Sequence, residues 1–247
     1  MVDSARGGAS LPGGFLPSAS PRPIDASVAA AVFLGAWMVA QIVASIVLAA
    51  VHGTDTTTDP TFTTTAVALA GAWSTYLAAM WLASQRAGSG DVVADYGIRF
   101  RPVDLVGLGI GAVCSLVLIR VVYLPLEAIW PSTFSEERLT ENAEELVARA
   151  EGTTWLVLLV VVVGAPVVEE LFYRGLLQRS LAARYHEVLV VVAVAALFAL
   201  VHFRPVEIPG LFAIGLVFGW AALRTDRLGM AIMIHAGFNA VGIAQAL

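Results

Sequence analysis

Two adjacent carboxylates, Glu169 and Glu170, directly continue the strongly apolar run that begins at Val160. Arg174 follows Glu170 by four residues, a spacing that places both side chains on one helix face and predicts an ion pair. Glu169 points about 100° away on the same helix and is left without that partner. An unpaired carboxylate in a region of low dielectric constant is a candidate general base. The alternative is an ion-pair cluster that only marks the end of a helix.

Two further polar motifs lie in later apolar runs. Phe198-Ala-Leu-Val-His202 ends one run with an imidazole. His235-Ala-Gly-Phe-Asn239 places an imidazole and an amide on one helix face in the last run. Ionisable side chains are costly inside a bilayer, so these residues are functional candidates. Each also has a plainer interpretation, because polar side chains often only join helices.

Counting along the helices predicts that the three motifs meet. If a hairpin turns near Tyr185, Glu169 lies sixteen residues before the turn and His202 seventeen after it. At about 1.5 Å per residue, both are then about 25 Å from the turn. A second hairpin, formed by the last two runs, places His235 and Asn239 about 13 to 20 Å from its own turn. The depths agree if the first hairpin projects farther into the cytoplasm, and we expect one buried cavity.

Membrane-spanning helices are needed to position these motifs. Of the 247 residues, 58% are hydrophobic and 13% are charged, whereas a soluble domain carries about 25% charged residues. Apolar runs of about 20 residues cross a bilayer as helices. We therefore predict an all-α, polytopic transmembrane bundle of seven spans, or eight if one is unrecognised. The predicted spans are Val28–Val51, Thr63–Ser84, Val103–Trp130, Thr153–Arg184, Val188–Phe203, Val206–Leu223 and Leu228–Leu247.

The chain divides into three predicted regions. Residues 1–26 are rich in Gly, Pro, Ser and Ala and are predicted to form a disordered cytoplasmic tail. Residues 27–150 are predicted to form N-terminal transmembrane helices, with an acidic extramembrane helix over Ser135–Ala150. Residues 151–247 form a helical core that contains all three motifs. The small residues from Gly107 to Gly111 predict close helix packing.

Arginine placement predicts the orientation of the bundle. All 14 basic residues are Arg, a composition associated with GC-rich bacteria. Arg86, Arg99 and Arg101 follow the second span, whereas the loop after the first span has none. The positive-inside rule then predicts a cytoplasmic N-terminus and an extracytoplasmic C-terminus in a bacterial plasma membrane. The partners expected are the lipid bilayer and a substrate; no basic face indicates a nucleic acid.

The three motifs together carry a family resemblance. Glu-Glu-x-x-x-Arg, Phe-x-x-x-His and His-x-x-x-Asn on successive hydrophobic spans resemble the CAAX protease and bacteriocin-processing (CPBP, or Abi) family. The resemblance covers about Thr153 to Gly242, while residues 1–150 resemble the family only in being hydrophobic spans. It implies an intramembrane endopeptidase of about eight helices, with residues 151–247 as its catalytic core. Its substrate would be a peptide or a membrane-protein segment.

The resemblance also implies roles for the motif residues. The implied catalytic residues are Glu169, Glu170, Arg174, His202, His235 and Asn239. The first glutamate would activate the attacking water, supported by the other two members of its motif. The histidine of the second motif would help to hold that water or a metal ion. The third motif would complete the site or stabilise the oxyanion.

Two mechanisms and two other functions stay open at this point. Glu169, His202 and His235 would be the ligands of a divalent metal such as zinc, or the glutamate would act without a metal beside an oxyanion hole. The chain could instead be a non-catalytic membrane scaffold or chaperone with the same fold. It could also be a small transporter that uses Glu169 as a proton relay. No evident inverted repeat supports the transporter.

Overall fold

Every regular element in the described part of the chain is a helix. The computed structural model describes residues 23–53, 59–150 and 152–247. The helices are α1 Ala26–His52, α2 Phe62–Ala87, α3 Val92–Tyr96, α4 Pro102–Ile129, α5 Glu136–Ala148, α6 Thr154–Ala182, α7 Glu187–Leu200, α8 Ile208–Thr225 and α9 Gly229–Ala246. Six of them (α1, α2, α4, α6, α8 and α9) are long and apolar enough to cross a membrane. The prediction of an all-α bundle of membrane helices is confirmed.

The predicted count of seven spans is not confirmed, because helix α7 is shorter than a typical span. It has 14 residues, about 21 Å at 1.5 Å per residue, whereas a hydrocarbon core is about 30 Å thick. The sequence predicted an apolar span to Phe203, but the helix ends at Leu200 and Phe203 adopts a left-handed φ of 54°. Pro205 follows, and the residue before a proline disfavours helical geometry. Among the described helices, six are therefore long enough to span a membrane and one, α7, is a shorter apolar helix.

The start of α1 also differs from the prediction. Asp25 accepts hydrogen bonds from the N–H groups of Ser27 and Val28 at 2.9 and 3.4 Å. It thereby caps backbone donors that have no partner within the helix. Ile24 is 2% exposed and packs in the core. The predicted tail over residues 1–26 therefore includes core residues at its end, and residues 1–22 lie outside the described residues.

The connections alternate between two faces of the bundle. At one face the N–H of Leu228 donates to the carbonyl of Gly97 at 3.1 Å. At the other, the N–H of Phe62 donates to the carbonyl of Arg149 at 3.0 Å. We call the first, which carries residues 88–101, 183–186 and 226–228, the arginine-rich face. The second, which carries residues 59–61, 130–150, 152–153 and 201–207, is the acidic face.

Helix α6 lies at the centre of the bundle. All eight residues from Leu171 to Gln178 are buried. Within this segment the ring of Phe172 stacks between those of Phe33 and Tyr76, with centroid distances of 4.3 and 4.1 Å. In lipid, such van der Waals packing is what holds helices together. The segment that follows Glu169 and Glu170 is therefore fixed on all sides.

Glycines bring α4 and α9 into close contact, as the sequence predicted. A Cβ added at Gly111 would come closer to the backbone carbonyl of Ile234 than real Cβ atoms do, and one at Gly237 would meet the carbonyl of Leu108 in the same way. Only glycine permits this approach. The contact fixes the stretch of α9 that contains His235.

Candidate active site

Glu170 and Arg174 form the buried ion pair that their spacing predicts. Nη1 of Arg174 donates to Oε1 of Glu170 at 2.9 Å, and Nη2 donates to the carbonyl of Gly215 on α8 at 3.1 Å. Neither side chain has exposed area. The guanidinium carbon lies 4.7 Å from the ring centroid of Phe198 and 5.3 Å from that of Phe218. Pairing, hydrogen bonding and cation–π contact together allow a charge to remain in an apolar interior.

His235 adds an imidazole to this pair from α9. Its Nδ1 lies 3.0 Å from Oε1 of Glu170, and its ring stacks on Phe218 with 4.5 Å between centroids. Beside an ionised Glu170, Nδ1 carries the proton and donates it, which assigns the tautomer. Nε2 then faces Glu169, 3.9 Å from its Oε2. That distance exceeds a direct hydrogen bond but is within reach of one bridging water.

Glu169 keeps an accessibility that Glu170 lacks. Its side chain is 23% exposed, against 0% for Glu170. Both belong to the α-helical stretch Ala165–Glu170, which lies between the π-helical segments Leu158–Gly164 and Leu171–Gln178. Interruptions of this kind are frequent at functional sites. Of the two carboxylates, Glu169 is the one that water or a substrate can reach.

His202 lies in the turn that follows α7. Its Nδ1 is 2.7 Å from the carbonyl oxygen of Phe198. Its ring contacts the Phe198 ring at a centroid distance of 4.9 Å, and His235 contacts the same ring at 5.9 Å. The second motif therefore joins the third through the phenylalanine side chain that the two imidazoles share.

Asn239 joins α9 to α6. Its Nδ2 donates to the carbonyl of Val161 at 2.8 Å. Val161 belongs to the π-helical segment Leu158–Gly164, eight residues before Glu169. His235 also contacts α6, so both members of the third motif face this helix, as their spacing predicts. One amide proton of Asn239 is committed to holding the helix.

Four of the six predicted site residues therefore form one cluster, and the other two adjoin it. The cluster consists of Glu169, Glu170, Arg174 and His235. His202 and Asn239 adjoin it through Phe198 and Val161. The cluster lies near the middle of α6, because Glu169 is 15 residues after the first residue of that helix and 13 before its last.

The arrangement does not fit the predicted metal site. Among residues 23–53, 59–150 and 152–247, no three His, Cys, Asp or Glu side chains form a group that could hold a metal ion. Nε2 of His235 lies 3.9 Å from Oε2 of Glu169, but Nδ1 of His202 lies 2.7 Å from the backbone carbonyl oxygen of Phe198. The three possible ligands do not converge, and no step proposed below uses a metal.

Two cavities border α6. One, of about 180 Å³, lies at the arginine-rich face between Arg174 and Asp226. The other, of about 460 Å³, is an apolar groove between α2 and α6, and it includes Trp73 and Gly164. Gly164 precedes Glu169 by five residues on α6, so the groove leads toward the accessible carboxylate.

Sequence reasoning missed the side chains that surround the cluster. Phe218 stacks on His235, and Tyr76 stacks on Phe172 of α6. The carbonyl of Gly215, which accepts from Arg174, has no signal in the sequence. Tyr76 did have a signal in the sequence, because it is a polar aromatic residue in the middle of a predicted span.

A comparison with protein families identifies the C-terminal part of the chain. Residues 151–241 match the family model described as Rce1-like, type II CAAX prenyl endopeptidase Rce1-like. The match contains all three motifs and confirms the resemblance to the CPBP family. It covers a little over a third of the chain and leaves α1 to α5 outside. A search of curated proteins and a search of solved structures each found no match.

Proposed function

Because residues 151–241 carry the family match, we propose that this multi-pass membrane protein is an intramembrane endopeptidase in which Glu169 activates water. One observation carries the proposal. The Glu170–Arg174 pair anchors His235, whose other ring nitrogen faces the accessible Glu169. Two adjacent carboxylates thus have different environments, which is how a site separates a working base from a supporting group.

The cluster supplies the base of the proposed reaction and the imidazole that helps to hold its attacking water. Glu169 takes a proton from a water molecule bridged to Nε2 of His235, and the oxygen attacks the carbonyl carbon of the peptide. The carbonyl oxygen becomes an oxyanion in a tetrahedral intermediate. Glu169 then returns its proton to the amide nitrogen as the C–N bond breaks, releasing an acid and an amine. A positioned base of this kind contributes about 10²–10⁴-fold to the rate.

The supporting residues keep this geometry fixed. Glu170, held by Arg174, accepts from Nδ1 of His235 and so sets the imidazole's tautomer and orientation. Asn239 fixes the π-helical segment before Glu169 through its bond to Val161. Fixed groups need no reorganisation at the moment of reaction.

The proposed substrate is a hydrophobic peptide or a segment of a membrane protein. The groove between α2 and α6 is apolar and borders the helix that carries Glu169. An extended apolar segment in this groove would bring its backbone toward the carboxylate. A bacterial plasma membrane is the proposed location, with α1 starting on the cytoplasmic side.

Incubation of the purified protein with a library of hydrophobic peptides tests the proposal. The parent should cleave, and Glu169→Gln should not, because an amide keeps the shape of the side chain but cannot act as a base. Glu187→Gln, at an exposed glutamate on the arginine-rich face, is the matched control and should cleave like the parent. Equal cleavage by Glu169→Gln and the parent would overturn the glutamate mechanism, and the scaffold function would then be preferred.

A further inference from the structure

Two polar side chains outside the family match lie at the depth of the carboxylates. Gln41 is 15 residues from the start of α1, Tyr76 is 11 before the end of α2, and Glu169 is 13 before the end of α6. All three counts begin at the arginine-rich face. At about 1.5 Å per residue, the three residues are about 22, 16 and 20 Å deep. Polar side chains are uncommon at such depths and are functional candidates.

Helix α2 packs against the turn of α6 that carries Glu169. The ring of Tyr76 stacks on Phe172 with 4.1 Å between centroids and 14° between planes. Phe172 follows Glu169 by three residues and shares its side of the helix. On the other side of Glu169, a Cβ at Gly164 would lie 2.7 Å from the ring of Trp73. Two aromatic residues of α2 therefore bracket the carboxylate.

The Tyr76 hydroxyl has polar neighbours on two other helices. Its electrostatic partners are the side chains of Gln41 on α1 and of Glu169 on α6. Tyr173 also interacts with Glu169 but is only 5% exposed, whereas Tyr76 is half-buried. Of these two phenols, Tyr76 is the one that a substrate beside Glu169 can contact.

The oxyanion of the proposed reaction needs hydrogen-bond donors, and few donors of the site are available to it. Arg174 has no exposed area, and its two terminal nitrogens donate to Glu170 and Gly215. Nδ1 of His235 is bonded to Glu170, and Nδ2 of Asn239 uses one of its two protons on the carbonyl of Val161. A carboxylate donates nothing. Tyr76, whose ring stacks on Phe172 one helical turn from Glu169, can supply a further donor.

We propose that Tyr76 is a further catalytic residue, whose hydroxyl donates a hydrogen bond to the oxyanion formed when the activated water attacks the peptide carbonyl. Gln41 is a positioning residue that donates to the phenol oxygen and directs its proton toward the substrate. The inference rests on the proposed function. It gives α1 and α2, which the family match does not include, a part in the reaction.

Steady-state cleavage and thermal unfolding of Tyr76→Phe test this proposal. The substitution keeps the ring on Phe172 and removes the donor. kcat should fall about 10²-fold, as for other oxyanion donors, with KM and Tm near those of the parent. Tyr96→Phe is the matched control, because the buried Tyr96 hydroxyl donates to the Met80 carbonyl at 2.6 Å, at the arginine-rich end of α2. That variant should lower Tm and leave kcat unchanged.

A double-mutant cycle tests the role of Gln41. Gln41→Leu alone should lower kcat, and in the Tyr76→Phe background it should lower kcat no further, because both changes remove one interaction. Additive effects would overturn the positioning role. Glu169→Gln in the same assay separates the two proposals. If it cleaves like the parent, the peptidase function fails; if it is inactive while Tyr76→Phe turns over like the parent, only the role of Tyr76 fails.

Discussion

Among the residues of the proposed site, Arg174 is the one whose replacement we expect to destabilise the fold most. Arg174→Ala would leave Glu170 buried without its cation and the carbonyl of Gly215 without its donor. Removing one partner of a buried pair costs about 3–5 kcal/mol, so we expect a marked fall in Tm together with loss of cleavage. Arg184→Ala, at an exposed arginine of the arginine-rich face, should change stability by less than about 0.5 kcal/mol. Thermal unfolding in one detergent measures both, and a parent-like Tm for Arg174→Ala would refute the pairing role.

Asp95 predicts a pH dependence of stability that is separate from the site. It is 3% exposed and accepts hydrogen bonds from the hydroxyls of Ser84 and Ser89, both at 2.6 Å. Burial alone would raise the pKa of Asp95, but the hydrogen bonds from Ser84 and Ser89 outweigh it and lower the pKa below its usual value. A lowered folded pKa means that the carboxylate stabilises the fold above the unfolded value of about 3.9. That stabilisation is lost as the pH falls through the folded pKa.

Asp95→Asn should therefore melt below the parent at pH 7, and the difference should shrink as the pH falls below about 4. Thermal unfolding of both proteins between pH 7 and pH 3 measures this difference. A difference that stays constant over the range would show that the charge of Asp95 does not contribute.

The residue-scale predictions that succeeded depend on local geometry. Glu170 pairs with Arg174 because positions four apart meet on any helix, whatever surrounds it. The stacking of His235 on Phe218 depends instead on which helix lies beside α9, and spacing within one helix does not contain that information. The three possible metal ligands do not form one group in the described residues for a related reason: His202 lies in a turn, so a count of residues along a helix does not place it.

At the scale of helices, the contact between α4 and α9 should be sensitive to one methyl group. Gly111→Ala would place a Cβ against the backbone of Ile234, next to His235. Overpacking of this kind costs about 1–3 kcal/mol, and moving α9 would separate the imidazole from Glu170. We expect lower Tm and weaker cleavage. Gly109→Ala, where no atom lies within 4 Å of the added Cβ, should cleave like the parent; similar losses in both variants would contradict the packing argument.

Hydropathy predicted the ends of some helices better than the ends of others. Val201 and Phe203 are apolar, so the predicted fifth span continued through them, but the backbone turns at Phe203 and Pro205 follows. The acidic helix, by contrast, was predicted at Ser135–Ala150 and is observed at Glu136–Ala148, because its polar residues interrupt the apolar pattern at both ends. The two π-helical segments of α6 have no signature in the composition of that apolar run.

For the whole molecule, the two faces of the bundle differ in their arginines. In and beside the connections of the arginine-rich face lie Arg86, Arg99, Arg101, Arg179, Arg184, Arg224 and Arg227. In those of the acidic face lie Arg138, Arg149 and Arg204, among several glutamates. From the positive-inside rule we predict that the arginine-rich face lies in the cytoplasm.

Reporter fusions test this orientation and the short helix together. A reporter after Leu247 should read as extracytoplasmic, and one inserted between Arg86 and Arg101 should read as cytoplasmic. Helix α7 decides the outcome, because at about 21 Å it must connect the two faces for the number of crossings to be odd. Fusions on either side of it, near Tyr185 and near Arg204, should therefore report opposite compartments. If the fusions near Tyr185, near Arg204 and after Leu247 all report the cytoplasm, α7 does not cross the membrane, and the predicted seven spans become six.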